Sequence, residues 1–148
     1  MNGLEVTVVD FTGKQLVGIK VRTNMARARQ DCSALWQNFC PKMPENYGKE
    51  CFGISVMLNE QDFDYWAAVE VEGPCPAGLE PVGLPSGNYA RCMVPNLESI
   101  GEGYMFMYQT WLAGQGDWKL NVQAPCFERY PANWNPAMPF ELYMPVMR

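Results

Sequence analysis

Glu128 lies in Pro125-Cys-Phe-Glu-Arg-Tyr-Pro131, a stretch bracketed by prolines in which apolar and polar residues alternate. That pattern reads as a short β-strand with one face on a core. A carboxylate on such a face is costly unless a cation or hydrogen-bond donors meet it. The chemistry open to it is therefore electrostatic, holding a positively charged ligand. In a dry pocket desolvation raises its pKa, and an incoming cation pulls it down again. The plain alternative is an edge-strand acid in water, or one paired with Arg129 or Arg91.

Glu70 is the second candidate acid, in Trp66-Ala-Ala-Val-Glu-Val71. Strand alternation puts Trp66, Ala68 and Glu70 on one face and Tyr65, Ala67 and Val69 on the other. The adjacent small residues Ala67 and Ala68 leave room on either side, so the sequence leaves open which face meets the helices. Trp36, Tyr104, Tyr108 and Trp111 fall on helical stripes, which ordinarily just pack. Here a pocket and the core would share walls, so the same rings can line both. Five Trp, seven Tyr and seven Phe supply the rings, and a ring over a cation contributes ~0.5–2 kcal/mol. Ten Met residues add adaptable, polarizable packing.

Other chemistries are excluded by what is missing. The chain has no histidine, which removes His-based triads, His general bases and the commonest zinc ligand. Ser33 and Ser86 have no base to activate them. Gly101-Glu-Gly103 follows no strand-to-helix phosphate fingerprint. Cys126, two residues before Glu128, is a thiol without a cationic activator. No cofactor and no metal are expected. Eleven Lys and Arg against sixteen Asp and Glu give a net charge of −5. No basic cluster interrupts that balance, so nucleic acid is not an expected partner.

The 148 residues are 48% hydrophobic, enough for one domain spanning 1–148 with a real core. No stretch approaches the ~20 apolar residues of a membrane span. The start carries no secretory pattern, and six cysteines without a C-x-x-C pair read as reduced thiols. A cytoplasmic protein is expected. The sequence leaves the oligomeric state open.

The elements that must position these residues come in two similar runs. Strands are expected at Glu5–Val9 and Leu16–Val21, with a turn at Thr12-Gly13. A helix follows from about Ala26 to Cys40, where Cys32, Leu35, Trp36 and Phe39 make one apolar stripe and Pro41 and Pro44 stop it. A loop with Tyr47 and Gly48 leads to strands Phe52–Leu58 and Phe63–Glu72, joined through Asn59–Asp62. After a Gly/Pro-rich connector with an extended stretch at Leu79–Leu84, the order repeats. A strand at Tyr89–Val94 precedes a helix that Ser99 and Glu102 would open with a capping box. Ile100, Tyr104, Met107, Tyr108 and Trp111 form its stripe. The strand around Glu128 and a last one, Phe140–Val146, complete an α+β chain with pseudo-repeats at about 5–72 and 79–148.

Several pieces, in this order, resemble the GyrI-like family of effector-binding domains, which also occur in AraC-type and MerR-type regulators. They are Leu16-Val-Gly-Ile-Lys-Val-Arg-Thr23, Leu35-Trp36 with Phe39, and Phe63-Asp-Tyr-Trp-Ala-Ala-Val-Glu-Val71. Then come Gly78-Leu-Glu80, Leu84-Pro-Ser-Gly-Asn-Tyr-Ala90, Thr110-Trp-Leu112, Phe127-Glu-Arg-Tyr130 and Glu141-Leu-Tyr-Met-Pro-Val146. The resemblance implies two pseudo-symmetric β-α-β-β units, an antiparallel sheet and two long helices over a ligand groove. It also implies that Glu128 meets the charge of amphipathic cationic small molecules while aromatic rings surround them. With no room for a helix-turn-helix, the chain is similar to the free-standing members, integron-cassette proteins among them, that sequester or sense such compounds. Some family members hydrolyse strained toxic molecules, which would give Glu128 a catalytic role beside Tyr104 or Tyr108. Others act on protein partners such as gyrase.

Overall fold

The computed structural model describes residues 4–39, 50–59, 61–71 and 73–148. Alternation of large apolar and polar residues sets nine segments of the chain in extended form. The strands are β1 (Val6–Phe11), β2 (Lys14–Asn24), β3 (Cys51–Met57), β4 (Asp62–Val69), β5 (Glu80–Leu84), β6 (Gly87–Val94), β7 (Lys119–Leu120), β8 (Cys126–Tyr130) and β9 (Phe140–Met147). All pair antiparallel, in the order β1-β6-β9-β8-β3-β4-β2-β5, with short β7 added on β9. The order is symmetric about the β8–β3 seam: β6-β9-β8 on one side answers β2-β4-β3 on the other. The outer strands cross over, since β1 leads into β2 yet pairs with β6, and β5 leads into β6 yet pairs with β2. The turn after β1 is tied to the turn after β5, where the Gly13 N–H donates to Ser86 Oγ at 2.7 Å.

Helix α1 (Ala28–Phe39) starts where Asn24 Oδ1 accepts the Arg27 N–H at 3.0 Å. It lies on β2 and β4 and buries Leu35 and Phe39 against Val17, Phe63, Tyr65, Ala67 and Val69. The second helical stretch opens with a 3-10 turn, Leu97–Ser99, runs as α2 (Ile100–Met105), and continues as a π-helix, Phe106–Leu112. Its cap differs from the expected one. Asn96 Oδ1 accepts the Ser99 N–H, whereas the Ser99 side chain makes no cap bond. Asn is as good an N-cap as Ser, and here it sits one turn earlier. Gly103 brings this helix close to the sheet, because a β-carbon there would fall 2.7 Å from Val94 Cγ2.

The sheet therefore has one face under the helices and one without them. The helix face carries Ala90, Cys92, Val94, Tyr130, Leu142 and Met144, with Met107 packed on them from the π-helical stretch. On the other face Phe11, Leu16, Phe52, Ile54, Leu84, Tyr89, Phe127 and Tyr143 pack together. That cluster includes residues of both outer strands, so the sheet curls around it. The expected strands are all present with ends shifted by a few residues, and two-residue β7 is an addition. The expected helix stops at Cys40, Pro41 and Pro44, the loop at Tyr47 and Gly48, and the strand end at Glu72 lie outside the described residues. Cys32, Cys75, Cys92 and Cys126 are free thiols. Among the described residues no helix is long and apolar enough to cross a membrane.

Candidate functional site

Strand β8 sits at the centre of the sheet between β3 and β9. Its alternation sends Phe127 and Arg129 to the open face and Glu128 and Tyr130 toward the helices. Glu128 is 4% exposed, and it forms no ion pair among the described residues. Three tyrosine hydroxyls meet it instead. Tyr65 of β4 and Tyr130 of β8 both donate to Oε1, at 2.8 and 2.6 Å, and Tyr104 of α2 donates to Oε2 at 2.7 Å. Trp36 of α1 completes the chain, its Nε1–H donating to Tyr65 Oη at 3.0 Å. Four elements thus converge on one carboxylate.

The fourth side is closed by backbone. Gly53 of β3 is the register partner of Glu128. A β-carbon built there would lie 2.5 Å from Glu128 Oε1 and closer still to Tyr65 Oη. Glycine at this strand position is a packing requirement, since any side chain would occupy the acid's own space. The rings are held in turn: Trp36 meets Tyr130 edge-on at 5.8 Å, and Trp134 and Phe140 flank Tyr130 at 4.6 and 4.9 Å.

Burial pushes the Glu128 carboxyl above the usual carboxylate range, and the bonds from Tyr130, Tyr104 and Tyr65 pull in the opposite direction without overcoming it. Charge-assisted hydrogen bonds contribute about 1.5–3 kcal/mol each, against a penalty of several kcal/mol for burying the ion. The site tolerates a negative charge but leaves it under-compensated. The hydroxyls of Tyr65, Tyr104 and Tyr130 are raised well above ordinary phenols, chiefly by burial and then by the neighbouring Glu128 charge. They stay protonated as donors.

The other expected residues divide. Tyr108, within the π-helical stretch, meets Cys126 Sγ at 2.9 Å. Burial pushes the Cys126 thiol up to about 11, so it is not an activated thiolate. Trp111 packs on the cluster beneath α2. Trp36, Tyr104, Tyr108 and Trp111 are all only partly buried, so ring surface faces solvent above the buried acid. Trp66 and Glu70 belong elsewhere. Trp66 packs against the open-face cluster, with Lys20 Nζ 5.4 Å from its ring centre. Glu70 is more than half exposed and pairs with Lys14 Nζ at 3.7 Å. Neither approaches Glu128.

Tyr65 and Tyr130 were not among the expected site residues, although both lie in the quoted strands. The signal for Tyr130 was parity, two residues from Glu128 on one strand. For Tyr65 it was the acids at Asp62 and Asp64, which mark the opposite face of β4 as the polar one. A pocket beside Glu128 was also expected; three tyrosine hydroxyls stand against the carboxylate there. Two surface recesses lie away from it. One of about 380 Å³ opens on the helix-free face among Val9, Lys14, Glu70, Arg91, Arg129 and Tyr143. The other, about 510 Å³, runs along the outer side of α1 by Arg29, Ser33 and Gln37. Among the described residues no group of His, Cys, Asp and Glu could hold a metal.

The sheet is curled and antiparallel, with two helices on one face and a strand order symmetric about the seam beside Glu128. The profile of the Cass2 family, the integron-associated effector binding proteins, matches residues 7–146, and the chain belongs to that family. This agrees with the resemblance read from the sequence. Among solved structures, an integron cassette protein from the mobile metagenome of Vibrio cholerae is 18% identical, with 98% of this chain and 99% of that one covered and a TM-score of 0.73. SAV2435, solved with tetraphenylphosphonium bound, is 19% identical over 97% of this chain and 94% of its own, also at a TM-score of 0.73. The C-terminal domain of EcmrR is 13% identical, with 99% of both chains covered and a TM-score of 0.66. At such identities the likeness establishes the fold. No curated protein matches the chain.

Proposed function

We propose that this chain binds amphipathic cationic small molecules between its two helices and the sheet. In this reading Glu128 supplies the charge, and Trp36, Tyr65, Tyr104 and Tyr130 supply the ring surface. One observation carries it: a carboxylate buried at the centre of the sheet, met by three hydroxyls and by no basic side chain among the described residues. A folded protein gains no stability from such an ion, whereas a cationic ligand that displaces water there gains from it. The bound tetraphenylphosphonium of SAV2435 supports the same ligand class. Tyr108 and Trp111 extend the ring surface along the π-helical stretch. A π-helix is rare and often accompanies function, because its extra residue per turn loosens the local ladder. The rings close over Glu128 here, so the ligand is admitted by their displacement. Affinity comes mostly from buried ring area, and the carboxylate selects for positive charge. The role is sequestration or sensing of such compounds. No observation favours hydrolysis.

The test is a tryptophan-fluorescence titration with tetraphenylphosphonium and with a neutral triphenyl compound of similar shape. Saturable binding of the cation is expected, with several-fold weaker binding of the neutral compound. Glu128→Gln should abolish most of that preference. Equal affinity of the intact protein for both compounds refutes the electrostatic reading.

A further inference from the structure

The hydrogen bonds around Glu128 bear on the kind of cation it could meet, a question that rests on the binding function proposed above. A carboxylate has about four lone-pair positions, two on each oxygen. Tyr65 and Tyr130 occupy both on Oε1, and Tyr104 occupies one on Oε2. Backbone of β3 at Gly53 closes the approach to Oε1. Tyr65 Oη also accepts from Trp36. A guest therefore finds at most one open position on the acid itself. What it meets first are the tyrosine and tryptophan rings.

We infer that the protein reads the Glu128 charge through its tyrosine shell, and so selects cations without N–H donors, such as quaternary ammonium or phosphonium ions, over primary ammonium ions of the same chain length. Two arguments support this. A phenol that donates to a carboxylate becomes more electron-rich, so its ring face attracts a cation more strongly. The negative charge is in effect passed outward to the ring faces, where a bulky cation makes its contact. A primary ammonium, in contrast, carries three N–H donors that must give up water. With one open position on the carboxylate, the other donors are left to the neutral hydroxyl oxygens of Tyr104 and Tyr130, weaker acceptors than the carboxylate or water they replace. A quaternary ion has no such donors to satisfy.

The titratable groups around Glu128 fit this assignment. Tyr65, Tyr104 and Tyr130 face it from β4, α2 and β8. Cys32 of α1 lies within its electrostatic reach, with burial pushing that thiol up to about 12. Cys126 lies two residues along β8 and is engaged by Tyr108. None is a charged acceptor for an ammonium group.

The probes are dodecyltrimethylammonium and dodecylammonium below their micelle-forming concentrations, titrated at about pH 8.5, where a primary amine is still protonated. Intact protein should bind the quaternary ion at least tenfold more tightly. Three added methyl groups would favour it to some degree in any apolar site, so the deciding measurement is the same ratio in Tyr104→Phe. That variant keeps the ring and frees a second position on Oε2. The primary ammonium should gain and the ratio should fall several-fold. Tyr65→Phe frees a position on Oε1 and provides an independent second variant. If both ions bind equally, or if the ratio is the same in the intact protein and in both tyrosine variants, the inference is overturned. In that event the binding function stands provided Glu128→Gln loses both ions. If neither ion binds the intact protein, the inference and the binding function fall together.

Discussion

Glu128 and Arg129 are neighbours on one strand, and the two faces of the sheet treat them in opposite ways. On the helix-free face charges come in pairs. Arg129 meets Glu50 at 2.9 Å, Arg91 meets Glu141 at 3.6 Å, and Arg22 meets Asp64 at 2.9 Å. On the helix face the one acid at the centre meets hydroxyls alone. Paired and partly exposed charges are ordinary surface chemistry and contribute little to stability. A buried acid held by neutral donors is different: its shell keeps it ionisable without neutralising it. The contrast separates a face whose charges are paired from one whose central acid has no counter-charge among the described residues.

The largest effect should come from destroying the space the acid occupies. Gly53→Val places a branched side chain on Glu128 Oε1 and Tyr65 Oη, and urea denaturation should show a loss of about 3 kcal/mol or more. The next test sets the two neighbours against each other. Glu128→Gln removes a buried charge and keeps its shape, so stability at neutral pH should be unchanged or higher by up to about 2 kcal/mol. Arg129→Gln breaks the pair with Glu50 and should cost about 1 kcal/mol. If Glu128→Gln proves the more destabilising of the two, the contrast between faces fails.

A pH series sharpens the same comparison. Because burial raises the Glu128 pKa in the folded protein, the unfolded chain loses that proton first as pH rises. The folded state then binds more protons, so this group's contribution to stability falls between the ordinary carboxylate range and its raised folded value, and levels off above it. Melting temperature against pH should show that decline in the intact protein and lose it in Glu128→Gln. Cation affinity should run the other way, rising with pH across the same window as the carboxylate ionises. The smallest effect is expected of Trp36→Phe, which keeps a ring but deletes the donor to Tyr65 Oη. A loss of about 1 kcal/mol in stability is anticipated, with cation affinity down two- to threefold by titration.

The β-strands were legible because alternation along each is strong, and Glu128 because an acid stands in an otherwise apolar face. The ends of elements were less so. Ser99 and Glu102 have capping-box spacing, yet Asn96 captures the start because a 3-10 turn precedes the α-helical residues. The π-helical turn carries no local signature in Phe106–Leu112. Face choice was the main obstacle. Tyr65 and Trp66 are adjacent aromatics, and apart from the local hint of Asp62 and Asp64 it is long-range register with β2 and β3 that decides which one turns toward α1. The tyrosine shell could not be assembled from spacing, since β4, α2 and β8 meet only in the folded sheet.

The crossed outer strands carry a consequence for how the chain must come together. Val6 waits for Cys92 before β1 has a partner, and Cys51 waits for Tyr130 before the seam closes. Contacts so distant in sequence form late, because a long loop must be ordered before any reward is gained. Until the C-terminal half is made, β3 has no partner on its β8 side and the Tyr65 hydroxyl has no carboxylate to meet.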